Sequence, residues 1–311
     1  MSQPQDSTAS SQPSDPPKYL PRRKTRWGSV AFFTLIHSVT LIAAPWYAVR
    51  NGVAPSILWL TALYGLATIL AINTGYHRLF SHAAFKAHPI VKFLCLFFGA
   101  ATFQQSALKW SSLHRRHHQL TDTPEDPYNI KFGFWYAHMG WILFWRQPID
   151  YANVRDLQKD PMIEFQHRFF QHWALIAGVF TPVLIGWAFG RPLEALIFAV
   201  GVRMTLIFHF TFFINSYAHT FGTADYDART SARDHWLGAL LTNGEGYHNF
   251  HHAFPVDYRN GIRWYHWDPA KWLIYAGSFV GLTADLKRTS PDRIREARVR
   301  ASRERTQQRA A

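Results

Sequence analysis

Histidine is concentrated in a few short stretches of this 311-residue chain, which has 17 histidines in total. The stretch "WSSLHRRHHQLT" at 110–121 places His114, His117 and His118 at positions i, i+3 and i+4. In a helix these three imidazoles share one face, and such a face can bind a transition metal. Taken alone, the stretch is equally compatible with a solvated basic patch on a surface helix.

Two further histidine-rich stretches and one single histidine favour metal binding over a solvated basic patch. "HRLFSH" occupies 77–82, "NSYAH" ends at His219, and "GYHNFHH" occupies 246–252. The candidate ligands are His77, His82, His114, His117, His118, His219, His248, His251 and His252. The other eight are interpreted as ordinary structural residues: His37, His88, His138, His167, His172, His209, His235 and His266.

Nine imidazoles are too many for one zinc site, whereas two ions with four or five nitrogens each fit the count. Nitrogen-rich ligation favours iron, and the chain has no HExxH motif of a zinc hydrolase. A carboxylate-bridged di-iron site would need Glu-x-x-His pairs, and Glu164–His167 and Glu245–His248 match formally. Glycines flank Glu245, and the chain has only six glutamates, so this version is disfavoured.

The elements that must position these histidines are long uncharged runs. A helix needs about 20 apolar residues to cross the hydrocarbon core of a bilayer. Four runs qualify, with Arg203 as the one charged interruption, and they lie at about 28–49, 52–76, 169–190 and 195–218. We therefore predict an all-α membrane protein with four transmembrane helices in two hairpins. The shorter run at 93–108 predicts an interfacial or partly buried helix.

The distribution of basic residues predicts the orientation. "KYLPRRKTR" precedes the first span, whereas the two hairpin turns hold only Arg50 and Arg191 as basic residues. Basic residues stay on the cytoplasmic side, so both termini are predicted to be cytoplasmic. An even number of crossings separates the histidine stretches, which therefore meet in one cytosolic helical cap. A bacterial inner membrane is the first interpretation, and the endoplasmic reticulum is the alternative.

The predicted organisation has three parts. Residues 1–26 form a disordered basic tail, 27–286 the membrane domain, and 287–311 a basic C-terminal tail. The cap consists of 77–168 and 219–286. In the C-terminal tail, Ser290 can cap a helix that Pro291 opens, and this helix either contacts anionic lipid or is merely solvated. The net charge of +13 then follows from membrane topology and implies no nucleic acid.

The motifs "HRLFSH", "HRRHH" and "GEGYHNFHHAFPVDY", with "EDPYN", "GFWYAHMGWIL" and "NSYAH" between them, resemble the integral-membrane fatty acid desaturases, specifically their acyl-CoA delta-9 group. The resemblance runs from about residue 57 to 279. It implies a di-iron centre in which Asn215 holds one metal-bound water. One iron would be held by His77, His82, His114, His118 and His251, and the other by His117, His219, His248 and His252.

The implied reaction is desaturation of a long-chain acyl group, which forms a cis double bond at carbon 9 and consumes O₂ as co-substrate. Substrate contacts are implied for Gln104, Gln105, Trp110 and Thr211, at the bend of an acyl tunnel. Helix rise places Ile69 about 12 Å deeper in the membrane than His77, so Ile69 is predicted to end the tunnel, with Gly65 one turn deeper.

The prediction of the acyl carrier rests on fewer residues than the prediction of the reaction. Animal members of the group have basic residues where this chain has Ser112, and a basic pair where it has Arg146 and Gln147. Arg146 remains a candidate substrate contact. Acyl-CoA is the first interpretation, with acyl-carrier protein or a phospholipid acyl chain as alternatives.

Electrons are expected from a separate electron-transfer protein and its reductase. The sequence has no His-Pro-Gly-Gly haem turn, and its single cysteine, Cys95, cannot support a fused iron–sulfur domain. Two other functions remain open. A histidine-rich di-iron membrane hydroxylase or ketolase would share these motifs, and a metal transporter would bind metal near the bilayer midplane.

Overall fold

The computed structural model of this chain describes residues 24–144 and 149–310. The expected disordered tail, up to residue 23, and Arg146 and Gln147 lie outside the described residues. The helices in chain order are α1 (Trp27–Asn51), α2 (Pro55–Ser81), α3 (Pro89–Ala100), α4 (Ala107–Leu120), α5 (Tyr136–Gly140 and Trp141–Phe144), α6 (Arg155–Gln158), α7 (Pro161–Arg168), α8 (Phe170–Ala188), α9 (Pro192–His219), α10 (Trp236–Leu241), α11 (His248–Ala253), α12 (Pro269–Phe279) and α13 (Pro291–Ala310).

Four of these helices, α1, α2, α8 and α9, are long and apolar enough to cross a membrane. Large apolar side chains on them face outward, among them Leu41 (70% exposed) and Trp59 (66% exposed). Exposed apolar surface of this extent is expected where lipid is the solvent. The four predicted spans and the all-α membrane class are therefore confirmed. The described residues also include 3₁₀ turns at Ile130–Phe132 and Tyr151–Val154, and one antiparallel strand pair, β1 (Lys86–Ala87) with β2 (Thr283–Ala284).

Proline starts many of these helices. It is the first residue of α2, α3, α7, α9, α12 and α13. The first helical N–H has no partner within the helix, so proline loses nothing there and its fixed φ favours the helical turn. The start of α13 at Pro291 agrees with the sequence prediction, and Arg293 donates its backbone N–H to Ser290 Oγ at 3.4 Å.

Two glycines allow α2 and α3 to pack unusually close together. A Cβ added at Gly75 would lie 2.4 Å from Cys95 Cβ, and one added at Gly99 would lie 2.3 Å from the Tyr76 ring. Any larger side chain at either position would push the two helices apart. This close approach fixes α3 beside the end of α2 that carries His77.

The helix predicted at 93–108 ends earlier than expected. α3 stops at Ala100, and a turn at 101–106 leads into α4, where Ser106 Oγ accepts the Lys109 N–H. Phe103 and Gln105 adopt φ values of +58° and +80°, so the backbone leaves the helix without a glycine. The turn carries no charged residue, so the uncharged run at 93–108 continues through it without a break.

Candidate metal centre

The nine predicted histidines lie together in two groups. Within each group, one nitrogen from every residue lies within 4.8 Å of the others. The five-histidine group consists of His77, His82, His114, His118 and His251, and the four-histidine group of His117, His219, His248 and His252. These are the two sets that the sequence resemblance implies. The other eight histidines belong to neither group.

Local helix geometry explains how neighbouring histidines serve different groups. On α4, His114 and His118 are one turn apart and point to the five-histidine group, whereas His117 points to the other. On α11, His248 and His252 are one turn apart and point to the four-histidine group, whereas His251 points to the other. Each of these two helices thus contributes histidines to both groups.

The remaining ligands come from the ends of two membrane-spanning helices. The last eleven residues of α2, Ala71–Ser81, are wound as a π-helix that carries His77, and His82 follows directly. π-Helical turns are rare and concentrate at functional sites, because the extra residue per turn redirects side chains. His219 is the last residue of α9. Both groups therefore lie at one end of the membrane helices.

The imidazole nitrogens converge in a way that suits metal ions. The Nε2 atoms of His77 and His251 are 2.9 Å apart, those of His118 and His251 2.9 Å, and those of His82 and His114 2.8 Å. A neutral imidazole has a single N–H, so it cannot satisfy several such contacts at once. His117 Nε2 is buried and has no hydrogen-bond partner. A cation at each group would accept these lone pairs, and the residues therefore fit metal binding.

Burial also keeps the histidines in the protonation state that binds metal. It lowers the pKa of His82, His114, His118, His251 and His252 well below the usual value, and neighbouring imidazoles add to the effect. Burial, with the charges of nearby histidines, lowers the pKa of His248 to about 3. All of these imidazoles are neutral near pH 7, and only a neutral imidazole has a lone pair for a metal.

A carboxylate fixes the orientation of His77. His77 Nδ1 lies 2.8 Å from Glu245 Oε2, and Glu245 Oε1 accepts a hydrogen bond from Arg78 at 2.9 Å. Burial acts to raise the pKa of Glu245, but His77 and Arg78 outweigh it and hold the pKa at about 2. The carboxylate must accept the Nδ1 proton, which leaves Nε2 free to bind a metal. The Glu245–His248 pair weighed in the sequence thus contains a carboxylate that supports a ligand.

Two ligands of the four-histidine group also have polar partners on Nδ1. His117 Nδ1 lies 2.8 Å from Asp126 Oδ1, and His219 Nδ1 lies 2.7 Å from Ser231 Oγ. Sequence reasoning noted "EDPYN" without assigning Asp126 a role and did not single out Ser231. His117 and Asp126 are nine residues apart on either side of a turn, so only the position of "EDPYN" after "HRRHH" hinted at the contact.

A cavity of about 860 Å³ reaches both histidine groups. Its walls include Phe32, Phe33 and Phe208, and it runs from Arg26 and Ser29 at the start of α1 towards the histidines. The histidines and other predicted site residues on its wall are His77, His114, His117, His248, Asn215, Gln104, Gln105, Trp110 and Thr211.

The proposed tunnel residues divide into those on the cavity wall and those outside it. Gln104 donates a hydrogen bond from Nε2 to Thr211 Oγ1 at 2.9 Å, and the Trp110 ring stacks on His114 with centroids 4.8 Å apart. Ile72 lines the cavity, whereas Ile69 is buried one turn away from it. A Cβ at Gly65 would lie 3.6 Å from Arg203 Cγ. The assignment of Ile69 and Gly65 to the tunnel end stays a prediction.

The two histidines in the membrane helices, His37 and His209, have hydrogen-bond partners, as polar groups within a membrane require. His37 Nε2 and His209 Nε2 are 2.9 Å apart, and His209 Nδ1 lies 2.9 Å from His138 Nε2. His138 Nδ1 continues to Ser216 Oγ at 2.9 Å, and His37 Nδ1 donates to the Phe33 carbonyl at 2.6 Å. These hydrogen bonds link α1, α5 and α9, which agrees with a structural role for the three histidines.

The fold and the two histidine groups define a multi-pass membrane protein with two histidine clusters that could hold metal ions. The family model for "Fatty acid desaturase" matches residues 53–278, and the chain belongs to this family. It is 42% identical to acyl-CoA desaturase 1 of Saccharomyces cerevisiae over 261 residues, which are 82% of this chain and 51% of the relative. The chain thus spans about half the length of that relative.

Two other relatives are covered over most of their length. The chain is 33% identical to the sn-1 stearoyl-lipid 9-desaturase of Synechocystis, over 86% of this chain and 82% of that protein. It is 31% identical to the stearoyl-CoA desaturase of Homo sapiens, over 78% of this chain and 75% of that protein.

Proposed function

We propose that this chain is an oxygen-dependent fatty acyl desaturase that introduces a cis double bond at carbon 9 and uses one iron ion at each histidine group. The observation that carries the proposal is the continuity of the cavity, which joins the aromatic wall at Phe33 and Phe208 to His77 and His117. An alkyl chain offers no polar group near its reacting carbons, so it has to be bound along its length. A cavity that combines this aromatic wall with access to both histidine groups supports such a substrate.

The reaction needs a metal because methylene hydrogens are not acidic and no side chain is basic enough to remove them. When bound, the two irons supply the O₂ chemistry that takes two hydrogens from adjacent methylenes. In total, –CH₂–CH₂–, O₂, two electrons and two protons become –CH=CH– and two waters. The nine histidines would hold the metal ions, and Glu245 keeps the His77 ring in place.

The protein must select two carbons among chemically similar methylenes. The shape of the cavity therefore has to determine which carbons lie beside the histidines. The Gln104–Thr211 hydrogen bond and the Trp110 ring border the cavity beside His114 and can set a bend in the acyl chain. Phe32, Phe33 and Phe208 supply apolar wall and exclude water. Asn215 lies on the same wall, one turn before His219, where it can hold a water near the four-histidine group.

We propose acyl-CoA as the substrate, because the names of the yeast and human relatives specify that carrier. The name of the Synechocystis relative specifies a lipid-bound acyl group, so a phospholipid acyl chain and acyl-carrier protein are the competing carriers. Arg146, which lies outside the described residues, is proposed as a contact for the head group. A separate electron-transfer protein and its reductase supply the two electrons.

We further propose that both termini face the cytoplasm, in a bacterial inner membrane or alternatively the endoplasmic reticulum. Four crossings return the chain to its starting side, and the basic residues before α1 favour the cytoplasmic side. The metal centre would then lie on the cytoplasmic face, where soluble electron carriers have access.

The test is expression in a host that lacks its own desaturase, followed by mass-spectrometric mapping of double bonds in its lipids. We expect carbon-9 monoenes with the wild-type chain and none with His117→Ala. His172→Ala is the matched control, because His172 is exposed and belongs to neither histidine group. Hydroxylated or keto lipids in place of alkenes would assign the chain to the hydroxylases or ketolases. Metal flux into proteoliposomes without lipid oxidation would assign it to the transporters.

A further inference from the structure

The segment 121–126 follows α4 and ends at the aspartate of "EDPYN". Its two carboxylates reach the four-histidine group. Asp126 contacts His117 directly, and Asp122 reaches His219 through Ser231. Asp126 is only 1% exposed. His117 belongs to α4 and His219 to α9, so a single short segment connects ligands from two distant helices.

The proton positions around Asp126 follow from its contacts. Asp126 Oδ1 lies 2.8 Å from His117 Nδ1 and accepts the Tyr128 N–H at 3.0 Å, while Oδ2 accepts the Asp122 N–H at 3.0 Å. An ionised carboxylate donates nothing, so the His117 proton resides on Nδ1. His117 Nε2 then holds a lone pair, and it is the buried atom that lacks a hydrogen-bond partner.

The contacts of Asp122 impose the same tautomer on His219. The Asp122 carboxylate accepts the Ser231 N–H at 2.7 Å and the Ser231 hydroxyl at 2.5 Å. Because that hydroxyl donates to Asp122, its oxygen can only accept from His219 Nδ1, at 2.7 Å. His219 Nε2 therefore carries a lone pair, and this atom lies 3.1 Å from His248 Nε2. Asp122 adopts a φ of +66°, a conformation that aspartate tolerates better than most residues.

The five-histidine group is supported differently. Among the residues that the structure describes, His77 is the one member of that group with a carboxylate on Nδ1, namely Glu245. Glu245 comes from the turn before α11, and its hydrogen bonds and ion pairs run to His77, Arg78 and Asn260. The two groups thus have separate sets of supporting carboxylates.

We propose that Asp126 and the Asp122–Ser231 pair are positioning residues that set the metal affinity of the four-histidine site independently of the five-histidine site. This inference rests on the proposed function, because it assumes that each group holds an iron ion. A carboxylate on Nδ1 fixes the ring and makes Nε2 a stronger donor, and its loss typically lowers metal affinity about 10- to 100-fold.

The experiment uses full-length protein in detergent, loaded anaerobically with ⁵⁷Fe²⁺ and dialysed against increasing chelator. Iron per chain and Mössbauer spectra are measured for wild type, Asp126→Asn, Ser231→Ala and Glu245→Gln. Ser231→Ala is the milder variant in case Asp126→Asn disturbs the loop. Asp156→Asn is the control, because Asp156 pairs with Arg115 on the surface of α4 and contacts no histidine.

We expect wild type to hold two irons with two distinguishable quadrupole doublets. Asp126→Asn and Ser231→Ala should lose one doublet at a chelator concentration about 10- to 100-fold lower, while the other doublet persists. Glu245→Gln should lose the opposite doublet first, and Asp156→Asn should match wild type. Loss of both doublets in parallel, or no change in Asp126→Asn and Ser231→Ala, overturns the inference. Fewer than two irons in wild type overturns the two-iron centre of the proposed function, and the inference with it.

Discussion

Gln104 donates a hydrogen bond from Nε2 to Thr211 Oγ1 at 2.9 Å, and this bond joins the turn after α3 to the membrane helix α9. The turn has two non-glycine residues with positive φ, Phe103 and Gln105, so it is held in a conformation that an isolated peptide would avoid. Both partners line the cavity beside Trp110. The bond therefore fixes the shape of the cavity close to the histidines.

We expect Thr211→Val to reduce the positional accuracy of desaturation. Valine keeps the shape of threonine but cannot accept the Gln104 N–H, and a hydrogen bond of this kind contributes about 1 kcal/mol. The ratio of the main double-bond isomer to its neighbours should fall about fivefold, as that energy implies. Mass-spectrometric mapping of the product double bonds measures the ratio. Thr211→Ser keeps the hydroxyl and should retain wild-type accuracy; equal isomer ratios in all three proteins would show that this bond has no part in positioning.

Chain-length preference provides a second prediction, at Ile69. If Ile69 ends the tunnel, Ile69→Ala should favour 18-carbon over 16-carbon products without moving the double bond, because the methyl end gains depth. Ile72 lies one turn nearer the histidines and lines the cavity, so Ile72→Ala is the informative comparison. A shift in chain length with Ile72→Ala, and none with Ile69→Ala, would place the tunnel end nearer the metals than Ile69.

The sequence predicted the spans and the grouping of the nine histidines more completely than the contacts that support those histidines. Uncharged runs reveal membrane helices directly, and the i, i+4 spacing of His114 and His118 reveals a shared face. The Glu245–His77 contact joins residues far apart in the sequence, and no local pattern encodes it. The end of α3 at Ala100 was missed because the following turn, 101–106, is uncharged and has no glycine or proline. The β1–β2 pair is two residues long on each side, too short for any alternation to appear.

We expect Arg203 to be essential for the stability of the membrane region. Its side chain is 1% exposed, and it donates to the carbonyls of Ala101 at 3.1 Å and Gly178 at 2.9 Å. Arg203→Met removes these donors and leaves two buried acceptors unsatisfied, at a cost of about 1–3 kcal/mol each. The apparent melting temperature in detergent should fall clearly. The control is Arg295→Ala, which removes an arginine whose side chain is 77% exposed. This variant should have the melting temperature of wild type. An unchanged melting temperature for Arg203→Met would contradict a stabilising role for Arg203.

Acidification should destabilise the metal-free protein. Burial lowers the pKa of His82, His118 and His252 below the value of about 6.5 in an unfolded chain. Between that value and the lower folded pKa, the unfolded state binds more protons, so the free energy of unfolding decreases as pH falls. The apparent melting temperature of iron-free protein should therefore drop from pH 7.5 to pH 5.5. His252→Gln removes one such group and should flatten the dependence; a melting temperature independent of pH would contradict neutral buried histidines.

The last prediction separates the nine histidines from Asn215. Replacing any of the nine by alanine should abolish desaturation, because one metal site loses a ligand. The protein should still be recovered as folded monodisperse material, since packing within the lipid holds the membrane helices together. Asn215 lines the cavity but belongs to neither histidine group, so Asn215→Ala should lower activity by about 10- to 100-fold, as expected for a contact through water. Product formed per folded protein, with iron content measured on the same samples, distinguishes the two classes. Full activity and normal iron content in His117→Ala would remove that residue from the centre, and complete loss of iron in Asn215→Ala would make Asn215 a direct ligand.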